Sequence, residues 1–157
     1  MERKLKRIKT YSILLSLALY ILSLTQTALT YDDFDGRKTH SSLSVLLMGA
    51  LAILGGGFLE WIVWLANPLY LFGLLTFARS AKASKKVSMA ATLLALSFVM
   101  WQRILAAESG RTAPIKSLNF GYWLWLMSLA TLTFGIYRYF KQLDKPTLSS
   151  PDSLPVK

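Results

Sequence analysis

Four long apolar stretches, separated by segments that alternate between rich and poor in positive charge, constrain this chain more than any other feature. A water-soluble domain of 157 residues needs more polar surface than a chain that is 54% hydrophobic can supply, because a small globule has much surface per unit of volume. We therefore expect lipid to be the solvent for most of the chain. The expected crossings are 11–29, 60–78, 87–106 and 118–140.

Positive charge is distributed unevenly between the segments that join these crossings. The N-terminal segment, the segment 79–86 and the C-terminal segment from Arg138 onward carry 13 Lys and Arg residues, whereas the two other loops carry four. Because Lys and Arg favour cytoplasmic loops, both termini should lie inside. The first stretch is long enough to span the membrane, so it should be an uncleaved anchor. The sequence thus predicts an all-α integral membrane bundle of four transmembrane helices over residues 1–140, N-in and C-in, and a flexible cytoplasmic tail over 141–157.

The apolar run 43–78 is too long for one crossing, because its 36 residues would form a helix of about 54 Å against a hydrocarbon core of about 30 Å. Two crossings would place the basic segment 79–86 outside, against the positive-inside rule. We expect one crossing that starts at Glu60, preceded by a short outer helix over 43–54, either interfacial or re-entrant. Gly55–Gly57 would separate the two, since glycine is a poor helix interior. One long second helix is the alternative.

Glu60 and Arg103 are the charged residues that lie deepest in apolar sequence. At helical rise from the basic segment 79–86, both lie near the outer edge of the core, at about 28 Å and about 25 Å. Ionisable groups in a membrane usually find a partner, so one expectation is an ion pair that joins the second and third crossings. The other is that each side chain reaches the headgroups separately.

Asn67 and Pro68 interrupt the second crossing. Proline has no N–H, so it leaves the carbonyl of Trp64, one turn earlier, without its helical donor. Because Asn67 can hydrogen-bond to another helix, we expect a kink that is held by contacts between helices. An opened backbone that lines a binding site or a pore is the alternative.

Tryptophans gather towards the outer ends of the second and fourth crossings, among them Trp64, Trp123 and Trp125. An aromatic belt at the lipid–water interface accounts for this placement, and a ring of aromatics that binds a cation or a sugar is the alternative. Serines on the first crossing, such as Ser12 and Ser16, share one face of the helix. We expect this face to contact another helix.

Composition restricts the kinds of site that the chain can build. It has no cysteine and one histidine, His40, so it can form neither thiolate nor multi-histidine metal sites. The net charge of +10 lies at the ends of the apolar stretches, which argues against nucleic acid as a partner. The acidic stretch Asp32–Asp35 lacks the closing Glu of a calcium loop and should be a solvated outer loop. We expect no catalytic residue, no metal and no cofactor.

Two short motifs, W-L-A-N-P-L at 64–69 and G-Y-W-L-W at 121–125, resemble those of a loosely defined group of small bacterial four-helix inner-membrane proteins. The resemblance spans the chain from the first crossing to Phe140. It implies four crossings and a multi-pass location in a bacterial inner membrane. That group has no established activity, so the resemblance carries over no catalytic residue.

A compact bundle with small loops favours a non-enzymatic interaction protein in the lipid bilayer, for instance of the immunity type, that binds a toxin or a partner membrane protein. A homo-oligomeric pore or channel-like effector is the second hypothesis, motivated by Asn67, Pro68 and Gly55–Gly57. The third is a small membrane enzyme or accessory subunit that acts on lipid or quinone, for which Glu60 would be the leading candidate.

Overall fold

The computed structural model describes residues 2–106 and 110–144, and it divides them between helices and a small sheet. The helices are α1 (Glu2–Leu24), α2 (Ser42–Gly49), α3 (Phe58–Trp64), α4 (Ala66–Ala78), α5 (Ser84–Ser97) and α6 (Phe120–Leu143). The strands are β1 (Thr27–Asp33), β2 (Gly36–Ser41), β3 (Arg103–Leu105) and β4 (Thr112–Leu118).

The prediction of an all-α bundle of four transmembrane helices is wrong. The segments on either side of residues 34 and 110 pair into a four-stranded sheet with the order β2-β1-β4-β3. The sequence predicts 27–29 and 103–105 as ends of the first and third crossings, and most other residues of these strands as outer loops. Among the described residues, three helices are long and apolar enough to cross a membrane, namely α1, the unit Phe58–Ala78 formed by α3 and α4, and α6. The helix α5 is shorter, because it ends at Ser97 and the chain becomes extended at Trp101.

The sheet is antiparallel and joins two hairpins that lie far apart in sequence. β1 pairs with β2 up to Asp33 and Gly36, and β3 pairs with β4. The hairpins meet where Leu29 of β1 lies opposite Leu118 of β4. At the first turn Gly36 has a φ of +109°, which glycine adopts without steric cost.

The main hydrophobic core lies where α1, α4, α5 and α6 meet. Its fully buried large side chains are Tyr70, Phe77, Leu129, Leu132, Ile136 and Phe140. A second cluster, made of Leu29, Tyr31, Ile104 and Ala113, lies in the sheet and contacts Phe98 at the end of α5. The sheet is therefore packed onto the helices, and burial of a large apolar side chain such as Leu29 or Ile104 stabilises a fold by roughly 1.5–3 kcal/mol.

The two ends of the molecule differ in what they carry. We call the end with β1–β4 the sheet end. We call the other the basic end, where the start of α1, the turn between α4 and α5, and the end of α6 meet. There Lys9 of α1 donates to Ser80 Oγ at 3.0 Å, and Ser80 Oγ lies 3.2 Å from the hydroxyl of Tyr139 in α6.

The chain between α2 and α3 folds back on itself. A 3₁₀ turn over Ala52–Gly55 follows α2, and Gly56 has a φ of +86°. The indole of Trp64 donates to the carbonyl of Leu46 at 2.7 Å, so α2 is held against the end of α3. Where the sequence predicts one outer helix over 43–54, the structure has this short helix and turn.

Candidate functional site

Asn67 is the polar centre of the helix bundle, and it is 8% exposed. Its Nδ2 donates at 3.0 Å to the carbonyl of Trp64, the carbonyl that Pro68 leaves without a helical donor. Its Oδ1 accepts from the hydroxyl of Tyr20 and from Nε1 of Trp125, both at 2.9 Å. The amide of Asn67 therefore supplies the hydrogen bond that is missing at the proline, and it also joins α4 to α1 and α6.

The serines of α1 make a second set of buried contacts. Ser16 Oγ donates to the carbonyl of Ser128 at 2.8 Å, and it lies 2.7 Å from the hydroxyl of Tyr70. One turn earlier, Ser12 lies directly against Gly135 of α6. This face of α1 therefore contacts α4 and α6 within one copy of the chain.

The three candidate tryptophans occupy different environments. Trp125 is half-buried and donates to Asn67, so it differs from a residue of an interfacial belt. Trp64 holds α2 in place through its indole. Trp123 is the surface residue of the three, with 43% of it exposed and its Nε1 donating to the carbonyl of Leu118 at 3.3 Å.

Glu60 and Arg103 do not pair with each other. Glu60 Oε1 accepts from the backbone N–H of Leu105 at 2.8 Å. Arg103 donates through Nε to Thr112 Oγ1 at 2.9 Å and through Nη2 to the Thr112 carbonyl at 3.0 Å. Both residues nonetheless line one open cavity of about 500 Å³ beside the start of α3. The expected ion pair is thus replaced by two separate attachments to the sheet.

Asp33 is the most strongly held charge at the sheet end, and sequence reasoning missed it. Its Oδ2 lies 2.7 Å from Lys38 Nζ of β2, and its Oδ1 accepts from Arg111 and from the N–H of Phe34. The side chain of Asp33 is 4% exposed. Hydrogen bonds from Lys38 and then Arg111 hold the pKa of Asp33 well below its usual range. The predicted solvated loop is therefore a strand end and a hairpin turn.

Asp32 carries a second set of ion pairs, with Arg37 of β2 at 3.5 Å and with Lys116 of β4 at 3.2 Å. Neighbouring residues of a strand point to opposite faces. Asp32 therefore joins β1 to β2 and β4 on one face, whereas Asp33 on the other face joins β1 to β2 and to Arg111, which directly precedes β4. The pairs of Asp32 are more exposed and contribute little energy. They do place Arg37 and Lys116, which are 71% and 51% exposed at their side chains, on the outer surface of the sheet.

The pKa of Asp33 makes stability depend on pH. Because the folded-state pKa is lowered, the ionised group stabilises the fold above its unfolded value of about 3.9, and this contribution is lost as the pH falls from there towards the folded-state pKa. We expect the thermal midpoint of the purified protein to fall as the pH is lowered below about 4, and Asp33→Asn to lower the midpoint at pH 7 and flatten its pH dependence. Asp35→Asn, at a side chain that is 84% exposed, is the control and should change little. A pH profile of Asp33→Asn that follows the unmodified protein would refute this role.

The sheet end is the candidate functional surface. Ion pairs hold its charged side chains in place, and the cavity beside Glu60 opens at the same end. Among the described strands, β2 is an edge strand that pairs with β1 alone. Comparison of the chain with protein-family models, curated proteins and solved structures gives no match.

Proposed function

We propose that the chain is a non-enzymatic interaction protein of a bacterial inner membrane that binds a partner protein at its sheet end. The observation that carries the proposal is the edge strand β2, which is paired on one side only among the described strands. A strand of another protein can add to such an edge, and its main-chain hydrogen bonds then supply affinity. An incoming toxin, as for an immunity-type protein, or a membrane protein beside this one could supply that strand.

Exposed apolar side chains on the long helices support a multi-pass membrane location. On α1, Leu14, Leu15 and Ile21 are between 56% and 62% exposed. The helices α4 and α6 expose similar side chains: Leu71, Phe72, Leu75, Met127 and Phe134. A surface of this kind is costly in water, and it is what a helix presents to lipid.

The charges around β2 restrict what the edge can bind. Arg37, Thr39 and Ser41 are exposed along this strand, and Lys116 adds positive charge from β4. Basic side chains on an edge strand oppose indiscriminate pairing with other strands. A strand that carries acidic side chains would be attracted, and electrostatic attraction also raises the rate of association. The partner segment that fits is therefore extended and acidic.

A photo-reactive amino acid at position 39, on the exposed side of β2, tests this proposal in cells. We expect a cross-linked adduct with a second protein, which mass spectrometry identifies, and we expect Arg37→Glu to reduce it at least about fivefold by reversing the local charge. The matched control is the same amino acid at position 75, on an exposed face of α4, where lipid should prevent a protein adduct. No adduct at position 39, or equal adducts at both positions, would count against β2 as the binding edge.

Alkaline carbonate extraction tests the membrane location separately. A chain that spans the bilayer stays in the membrane pellet, whereas a chain that lies on the surface is released. We expect complete retention because of the three long apolar helices. Release into the supernatant would contradict the membrane location and would leave the binding edge to be judged by the cross-linking result.

A further inference from the structure

A groove at the basic end changes from apolar to cationic along α6. Phe134, Tyr137, Arg138 and Lys141 line it, and they recur at the three- and four-residue spacing that places side chains on one helix face. Lys85 of α5 lines the groove from the neighbouring helix. The cavity has a volume of about 670 Å³.

The aromatic part of the groove is open to the surroundings of the protein. Phe134 is 67% exposed and Tyr137 is 42% exposed, whereas Ile136 and Phe140, on another face of α6, belong to the buried core. Seven residues separate Phe134 from Lys141, which is about 10 Å along the helix axis. The groove thus has an apolar part and a cationic part. The distance between them is comparable to the length of a lipid headgroup together with the first methylene groups of its acyl chain.

The cationic part of the groove consists of side chains. Lys85 Nζ lies 4.8 Å from the centre of the Phe140 ring and 3.9 Å from Asp144 Oδ2. A pair at 3.9 Å is weak, so one acid does not cancel the three cations that line the groove. The first N–H groups of α5 already donate to carbonyls of the preceding turn, so the helix end contributes no donors there.

We propose that this groove binds an anionic phospholipid, with the phosphate at Lys85, Arg138 and Lys141 and an acyl chain along Phe134 and Tyr137. Basic pockets between helices at a membrane surface take headgroups of this charge. Each positive charge near such a surface increases affinity roughly fivefold. The inference rests on the membrane location proposed above and not on partner binding at the sheet end.

Native mass spectrometry of the whole protein in a neutral detergent, mixed with equal amounts of phosphatidylglycerol and phosphatidylcholine, tests the site. We expect phosphatidylglycerol adducts to exceed phosphatidylcholine adducts about a hundredfold, since three cations face the phosphate and each contributes roughly fivefold. The combined change Lys85→Gln, Arg138→Gln and Lys141→Gln should bring the two lipids near parity. The matched control removes three charges from exposed positions outside the groove, in the adjacent turn and the first turn of α5: Arg79→Gln, Lys82→Gln and Lys86→Gln.

The control variant should keep the preference for phosphatidylglycerol. An equal loss in both triple variants would mean general charge attraction, and no loss in the groove variant would mean that the lipid binds elsewhere; either result overturns the proposal.

If the triple variant fails to fold, Lys141→Gln alone provides the test, because it changes one exposed residue and should lower the preference for phosphatidylglycerol roughly fivefold. Phe134→Ala should weaken adducts of both lipids, and unchanged adducts would contradict the acyl contact. If the protein stays in the membrane pellet during carbonate extraction but shows no lipid preference, the lipid site is refuted and the membrane location stands.

Discussion

Gly121→Ala is expected to destabilise the protein by about 3 kcal/mol, through overpacking at the start of α6. A methyl group at this position would lie 2.2 Å from Ser42 Oγ and 2.7 Å from the carbonyl oxygen of Thr27. The hydroxyl can rotate away, but the carbonyl oxygen is fixed at the start of β1, so α6 must move away from the sheet. We expect the thermal midpoint to fall by about 10 °C, as measured by circular dichroism of the protein in detergent.

A second glycine on the same helix provides the control. A methyl group at Gly135 would lie 2.2 Å from Ser12 Oγ and 2.3 Å from Ser12 Cβ, and the next atom, Ser12 Cα, lies at 3.6 Å. Only side-chain atoms are in the way, so Ser12→Gly should restore much of the stability that Gly135→Ala loses. Ser42→Gly should not restore Gly121→Ala, because the oxygen of Thr27 remains. Rescue of both variants, or of neither, would disprove this distinction.

Asn67→Ala is expected to lower the free energy of unfolding by about 3 kcal/mol. It would leave the Trp64 carbonyl, the Tyr20 hydroxyl and the Trp125 indole without their partner. Hydrogen bonds between helices in lipid average less than 1 kcal/mol each, but a buried group without a partner costs about 1–3 kcal/mol. Thermal unfolding at neutral pH measures the loss.

The single variants Tyr20→Phe and Trp125→Phe separate the contributions to this result. Each removes one donor to Asn67 and leaves the amide its other contacts, so each should cost about 1 kcal/mol. Leu71→Ala, at a side chain of α4 that is 51% exposed, should cost less still. If Asn67→Ala proved no worse than either single variant, its role as the joint between three helices would be wrong.

Long helices could be predicted from the sequence and the sheet could not. The helix α6 spans Phe120–Leu143 where an apolar run predicts 118–140, and the unit Phe58–Ala78 lies where 60–78 is expected. The residues Arg103–Leu105 continue an apolar run from α5, and neither glycine nor proline marks the change from helix to strand. Length alone therefore suggested a crossing where the structure has a strand.

Some local signals of the first hairpin were present. Thr27, Thr30 and Tyr31 are residues that favour strands, and Asp35 and Gly36 form a common turn pair shortly after them. Because these signals directly follow the apolar run of α1, the apolar pattern predicts the end of a crossing and a loop at this place. The pairing of β1 with β4 has no local signal, because it joins residues that are far apart in sequence.

The candidate residues show the same limit. Helical rise predicts similar depths for Glu60 and Arg103, and in the structure both line one cavity, but each hydrogen-bonds to the sheet and not to the other. In a strand the rise is about 3.3 Å per residue and side chains alternate, so Arg103 meets Thr112 on β4. At Asn67, the position of Pro68 is enough to predict that the carbonyl of Trp64 lacks its helical donor. The donors that reach Asn67 from other helices could not be predicted, because they depend on how the bundle packs.

The order of strands in the sheet has a consequence for synthesis. Tyr31 of β1 pairs with Ile115 of β4, which the ribosome reaches 84 residues later. At roughly 5–20 residues per second, one side of β1 waits about 4–17 s for its neighbour. During that time a nascent chain offers an open strand edge to any strand nearby. A chain that stops before β4 would therefore contain α1 to α5 but could not pair β1 on its second side.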